Sequence, residues 1–352
     1  MYQAKGERNF HIFYYLTVCL DKAKRKKLNL KMPPQKFNYV NQSGSYTAET
    51  HNDQEEFDDM MQAFEELHFS EKEQLTLFQT VAAVLWIGNI EFAPVSNVAS
   101  KIKTPDALKY AAKLLKVDPD QLSKCLTESN MKVSDGNLRR TFTPEKAKDA
   151  RDALAKHIYS KMFDWLVERL NKCMMADCQE DTDEMPIIGM VDIFGFEIFK
   201  VNSFEQLCIN FANEKLQNLF NYNVFKKEEA LYKAEGIPDE AIPEFQDNTP
   251  CCKLIAGRYT KKSPIVGIFT KLDDLKSQRN MTNEKYCEGL IQYFGRKKGQ
   301  FKKAKNEKVR ESSKYFYGPK GGNESFFVRH FAGDVEYHVK GWLEKNDDKL
   351  PL

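Results

Sequence analysis

The residues of this 352-residue chain best suited to chemistry are Asp192-Ile193-Phe194-Gly195-Phe196-Glu197. They follow the apolar run Pro186-Ile187-Ile188-Gly189-Met190-Val191, which reads as a short strand buried on both faces. An aspartate at the end of such a strand can help hold the Mg²⁺ shell of a bound nucleotide. A glycine three positions on lets the backbone approach a terminal phosphate, donate an amide to it, and move when the phosphate leaves. The pattern D-x-x-G is short. By itself it marks a strand end with a turn glycine more often than a phosphate switch, so its weight depends on its surroundings.

Other chemistries are weakly represented. The eight cysteines form no C-x-x-C pair; Cys173 and Cys178 are five apart and Cys251-Cys252 are adjacent, neither a zinc-ligand spacing. Reduced thiols in a cytosolic protein are the expectation. Lys+Arg 53 against Asp+Glu 51 leaves a formal charge of +2, which points to neither nucleic acid nor an anionic membrane. The basic run Lys22-Ala23-Lys24-Arg25-Lys26-Lys27 fits a nuclear-localisation patch, but a surface connection is the simpler reading. No apolar run reaches the ~18–20 residues that span a bilayer, and the N-terminus carries no signal-peptide pattern. A soluble, cytoplasmic protein is expected.

Around the motif the chain reads as mostly helical. Its hydrophobic fraction of 41% is enough for a sizeable core. Ser70-Glu71-Lys72-Glu73 is a capping box ahead of Leu75, Phe78, Val81, Ala82 and Leu85 at helical spacing. Thr104-Pro105, Asp118-Pro119 and Thr143-Pro144 each put a capping residue before a first-turn proline. The last opens a long helix with Ala150, Leu154, Ile158, Phe163, Leu166 and Leu170 near one face, and Lys148, Asp152, Lys156 and Glu168 on a solvated one. Ser203-Phe204-Glu205-Gln206 is a second capping box. It opens a helix running to about residue 234, on the order of 45 Å long. Strands at 325–328 and 335–339 flank a predicted turn at Gly333-Asp334.

The sequence after the motif makes it specific. Asp192–Glu197 continues through Val201-Asn202-Ser203-Phe204-Glu205-Gln206-Leu207-Cys208-Ile209-Asn210 to Asn213-Glu214-Lys215-Leu216-Gln217. This resembles the switch II segment and relay helix of myosins nearly residue for residue. Gly6-Glu7-Arg8-Asn9-Phe10-His11-Ile12-Phe13-Tyr14 resembles the myosin helix shortly after switch I. Arg151-Asp152-Ala153-Leu154-Ala155-Lys156 with Phe163-Asp164-Trp165-Leu166 is similar to the long helix of the upper actin-binding subdomain. Phe331-Ala332-Gly333-Asp334-Val335 and Glu344-Lys345-Asn346-Asp347-Asp348 resemble the end of the lower one, so the likeness covers essentially the whole chain.

The resemblance implies an α/β, predominantly helical fold: a partial P-loop NTPase-type myosin motor core with upper and lower actin-binding subdomains. Residues 1–180 correspond to the upper subdomain, 186–200 to the strand and switch II, 201–248 to the relay helix and loop, and 249–352 to the lower subdomain. It puts Asp192 in the second coordination shell of Mg²⁺, with no residue of this chain as a direct ligand. It has the Gly195 amide bond the γ-phosphate, and Glu197 pair with a switch I arginine. The lower subdomain's helix-loop-helix corresponds to 264–275 and 282–294, with Ile265, Ile268, Phe269, Lys276 and Arg279 as actin-facing candidates. Lys276-Ser277-Gln278-Arg279-Asn280 replaces the proline-bearing tip usual in the family. The basic residues Arg296, Lys297, Lys298, Lys302 and Lys303 fall near a further actin-facing loop, where a solvated charge run is the competing reading. Asp135, Thr141 and Thr143 lie in the upper actin-contacting loop, and none is singled out. The tryptophan that many myosins carry after the relay helix is replaced by Asp239-Glu240.

No G-x-x-x-x-G-K-[ST] occurs in the chain, and no switch I segment precedes Glu7. The expectation is therefore a piece of an actin-based cytoskeletal motor, from just after switch I to just before the second actin-binding surface loop. ATP and Mg²⁺ belong to the complete motor, and the chain alone is expected neither to bind them tightly nor to hydrolyse ATP. Expected partners are actin filaments, the remaining motor segments and light chains, in the cytoplasm on the cytoskeleton. A non-catalytic actin-binding module derived from a myosin head is the alternative. A kinesin-like NTPase shares the D-x-x-G-x-E form, but the residues from Ser203 to Gln217 argue against it.

Overall fold

Ser70 and Glu73 start the helix on which the first half of the molecule packs. The computed structural model describes residues 3, 5–48, 51–133, 136–175, 186, 188–238, 247–258, 265–276, 280–294, 296–297, 300–301, 312–319 and 321–346; side chains are not described at 130–139, 276, 296–297 and 300–301. The chain divides into two units, one over Met1–Pro186 and one over Ile187–Asp348, each with its own core.

The first unit begins with α1 (His11–Tyr14), which widens into a π-turn at Tyr15–Cys19, then α2 (Lys22–Lys27) and α3 (Asp53–Glu66). At the head of α4 (Glu71–Gly88) the Ser70 amide donates to Glu73 Oε2 at 2.8 Å and the Glu73 amide donates to Ser70 Oγ at 3.3 Å. Both partners thereby satisfy amides that a helix start leaves open. Every residue from Val81 to Gly88 is buried, because α5 (Pro105–Leu115) and α7 (Pro144–Met175) both pack against this helix. Gly88 is required by that packing: a Cβ there would stand 2.7 Å from the buried Tyr39 ring. The hairpin β1 (Phe92–Ser96) and β2 (Ala99–Ile102) precedes α5, and α6 (Pro119–Thr127) leads into the hairpin β3 (Glu128–Val133) and β4 (Gly136–Thr141).

The three helices predicted from proline all start on that proline. Asp118 caps α6 by accepting from the Gln121 amide at 2.9 Å. Thr104 does not cap α5; its hydroxyl accepts from the Glu91 amide at 2.8 Å and donates to Asn89 O at 3.0 Å. Two expectations for α7 are corrected. Asp152 is half-buried, accepting from Tyr39 Oη at 2.6 Å and from Arg151 Nε at 2.8 Å. Phe163 is 53% exposed, since at 3.6 residues per turn it lies roughly 140° around the helix from Ala150.

The second unit opens with residues 188–199, which form no strand. The expected buried strand is thus a correction: Ile188 is 98% and Met190 99% exposed. A buried strand requires ladder partners on its edges, and among the described residues no strand pairs with this segment. The long helix does form, as α8 (Phe204–Asn221), a π-turn at Tyr222–Lys226, and α9 (Lys227–Ala234). The Gln206 side chain accepts from the Ser203 amide at 2.9 Å, as the capping box requires. α10 (Thr249–Ala256), α11 (Ile268–Lys276) and α12 (Asn283–Phe294) follow, with a minimal hairpin of β5 (Arg296–Lys297) and β6 (Gln300–Phe301). β7 (Phe316–Tyr317), β8 (Ser325–His330) and β9 (Gly333–His338) form an antiparallel sheet, closed by α13 (Trp342–Lys345). The predicted hairpin is present, but its turn falls at Phe331-Ala332, because Gly333 pairs with His330 in the ladder. Leu207, Leu254, Leu272, Tyr286, Phe326 and Trp342 lie at the centre of this core.

Candidate functional site

Residues 192–197 are exposed or half-buried, and they are attached to the second unit by asparagine side chains. Asn210 Oδ1 accepts from the Glu197 amide at 2.8 Å, and Asn210 Nδ2 donates to Glu197 O at 2.8 Å. Asn213 Nδ2 donates to Phe194 O at 2.9 Å. At the end of the segment Asn202 accepts from the Phe199 amide at 2.8 Å and donates to Phe199 O and Glu336 O. A carboxamide matches a peptide group donor for acceptor, so these contacts stand in for the ladder that the segment lacks. The Phe196 ring packs edge-on against His330 and Phe331, with centroids 5.1 and 5.5 Å apart.

Among the described residues neither Asp192 nor Glu197 has an ion-pair partner for its carboxylate, and a Cβ at Gly195 would meet nothing within 4 Å. The three predicted residues therefore share one accessible strip with open space beside the glycine. That donor set fits a phosphate approaching the backbone and a Mg²⁺ ion held at one water's remove.

Behind this strip lies a buried polar network that sequence reasoning missed. Glu214, fully buried on α8, accepts from Asn248 Nδ2 at 2.8 Å and lies 2.8 Å from His330 Nδ1. His330 Nε2 is 2.9 Å from Tyr337 Oη, which in turn accepts from Asn210 Nδ2 at 2.9 Å. Burial pushes the Tyr337 hydroxyl pKa well above its ordinary value. Glu214, Cys251 and His330 are, among the described residues, a group whose possible metal-ligand atoms lie within 4.8 Å of one another. Hydrogen bonds already engage all three, Cys251 Sγ donating to Arg329 O at 3.5 Å, so the cluster reads as a satisfied polar core. Burial, first, and the Glu214 charge, second, push the Cys251 thiol far above the usual range, leaving it inert. The available signal was polar residues at the inward spacing of α8: Leu207, Asn210, Glu214 and Asn221 are all buried.

The expected filament-contact residues separate into three groups. Ile265 and Ile268 are 2% and 0% exposed, and Ile268 belongs to the second core, a correction to their expected place at a contact surface. Phe269 is half-buried between Phe204 and Phe211, at centroid distances of 5.8 and 5.9 Å. These apolar residues seat α11 and cannot reach a partner without unpacking it. Lys276 ends α11 and Arg296 and Lys297 form β5, each described in its backbone alone; Arg279, Lys298, Lys302 and Lys303, like Asp135, Asp239 and Glu240, lie outside the described residues. No helix among the described residues is long and apolar enough to cross a membrane.

The family model for the myosin head (motor domain) matches residues 1–351. The chain is 37% identical to Myosin-3 of Arabidopsis thaliana over 347 residues, 98% of this chain and 28% of that protein. It is 36% identical to Unconventional myosin-Vc of Homo sapiens over 351 residues, 99% of this chain and 18% of that protein. It is 35% identical to "Myosin-2 heavy chain, non muscle" of Acanthamoeba castellanii over 350 residues, 99% of this chain and 21% of that protein. It spans less than a third of each of these relatives. A match over essentially the whole chain, with the acidic-glycine strip tied to a long helix, means that this protein belongs to the myosin head (motor domain) family.

Proposed function

We propose that this chain supplies switch II, the relay helix and filament-binding surfaces to an actin-based motor that couples ATP hydrolysis to movement. The observation that carries the reading is the strip of Asp192, Gly195 and Glu197, accessible on one side and hydrogen-bonded to α8 on the other. Mg²⁺ and ATP, when bound in the complete head, supply the bond to be broken and neutralisation of its phosphate charge. Asp192 orients water around the metal. The Gly195 amide donates to the terminal phosphate, and the absence of a side chain lets the backbone come close. Glu197 pairs with an arginine outside this chain and so closes the strip over the attacking water. The protein's part in phosphoryl transfer is mostly positioning and charge stabilisation, which suits a strip of this kind.

Contact with actin belongs to the connection between α11 and α12 and to the basic residues from Arg296 to Lys303. With Ile265 and Ile268 buried, charge carries this contact more than apolar anchoring does. Co-sedimentation of a complete head containing this chain with actin filaments tests the reading. Binding is expected to weaken steeply between low and physiological salt, since exposed charges are screened beyond ~8–10 Å, and to be released by ATP. Absent or salt-insensitive binding overturns it. Salt-sensitive binding that ignores nucleotide supports a non-catalytic actin-binding module instead.

A further inference from the structure

The polar network behind the strip closes in one direction. An ionised Glu214 carboxylate only accepts, and it takes Asn248 Nδ2 on Oε1 and the Phe331 amide, at 3.4 Å, on Oε2. His330 Nδ1 therefore donates to Glu214, and His330 Nε2 faces Tyr337 Oη at 2.9 Å. The Tyr337 oxygen, hydrogen-bonded to that nitrogen, also accepts from Asn210 Nδ2 at 2.9 Å. With one Nδ2 hydrogen committed to Tyr337 and the other to Glu197 O, Asn210 Oδ1 faces the Glu197 amide. Flipping the carboxamide would set Oδ1 against Glu197 O and Nδ2 against the Glu197 N–H. The Glu197 peptide thus sets the orientation of Asn210, and the second Nδ2 hydrogen ties that side chain through Tyr337 and His330 to Glu214.

Resting on the reading of the strip as switch II, we propose that Asn210 is the positioning residue of this segment, anchored in the core by the Tyr337–His330–Glu214 chain. Asn210, Glu214 and Tyr337 are fully buried and His330 nearly so, which puts these bonds out of competition with water. Segment 188–199 has no strand partner among the described residues, so the Asn210 pair acts as the rung that sets the Glu197 peptide. Gly195, two residues earlier, is positioned by the same rung and by the bond from Asn213 to Phe194 O. Neither His330 nor Glu214 touches the reacting groups; they act through Asn210.

The test uses a complete head containing this chain and two variants. Tyr337→Phe keeps the ring and removes the hydroxyl; Asn210→Ala removes the whole rung. Hydrogen exchange of the Glu197 amide is expected to accelerate about tenfold in Tyr337→Phe, the equivalent of one hydrogen bond, and further in Asn210→Ala. The β8–β9 amides should stay protected. ATP turnover should fall in the same order, with kcat reduced about tenfold or more and KM for ATP little changed, as for an interaction made only in the transition state. Unchanged exchange at Glu197 in both variants overturns the proposal. Equal acceleration throughout the hairpin also overturns it, because that marks general loosening of the unit. If the unsubstituted head does not turn over ATP, the functional reading fails, and the exchange experiment still decides whether Asn210 sets the segment.

Discussion

Gly195 is a glycine for which the surrounding structure gives no steric reason. A Cβ there would meet nothing within 4 Å, whereas a Cβ on Gly88 would collide with Tyr39. Gly195→Ala should accordingly leave stability within about 0.5 kcal/mol, the usual range for a surface substitution away from caps and cores. The same change in a complete head should abolish most ATP turnover, because the methyl group occupies the space through which the phosphate approaches. Thermal melting and single-turnover kinetics on one preparation check both halves. A variant that melts early, or one that turns over normally, removes the phosphate role assigned to this residue. At this scale Asp192, Gly195 and Glu197 were legible as a motif. Asn210, Tyr337 and His330 were not, because each is an ordinary polar residue until the fold brings it to its partners.

Among the elements, α4 shows how a local signal becomes a tertiary one. The sequence predicts the capping box of Ser70 and Glu73, and the structure adds Arg169 of α7, whose Nε donates to Glu73 Oε1 at 2.9 Å. Hydrogen bonds from Ser70, first, and Arg169, second, hold the Glu73 carboxyl at about 2, against an ordinary value of 4.5. A carboxyl lowered on folding contributes stability that is fully present above about pH 4.5 and lost as the pH falls towards about 2. Glu73→Gln keeps a capping side chain and removes the titration. The variant should therefore lose less stability across that acid window than the parent, followed by circular dichroism melts at stepped pH. Parallel acid profiles would count against this contribution. The strand at 187–191 is the opposite case. Its composition read as buried, but strand formation is decided by neighbours, and among the described residues it has none.

For the whole molecule, the consequence is a surface that invites association. Ile188, Met190, Val191, Ile193, Phe194, Ile198, Phe199 and Val201 are all exposed along one stretch that no ladder pairs among the described residues. Exposed apolar residues on an unpaired segment invite pairing with another chain. The chain alone should therefore self-associate at micromolar concentration in sedimentation velocity, and Ile188→Lys with Val191→Lys should reduce that association. A monomeric preparation that melts cooperatively would refute it.

By itself the sequence determined the family and the helix starts, and it carried the acidic-glycine motif. These rest on local chemistry: capping side chains, proline at the first turn, and an uninterrupted motif running from Asp192 into α8. Only the tertiary structure decided that Ile265 and Ile268 are buried, that Asp152 is engaged by Tyr39, and that Asn210 is bonded to Tyr337. Those outcomes depend on groups more than a hundred residues apart meeting out of water, such as Glu214 with His330 and Tyr39 with Asp152. The spacing of residues along the chain does not encode which buried polar group will find which partner. The strip at Asp192 to Glu197 was readable as a motif, and the fold revealed the asparagine side chains that hold it in place.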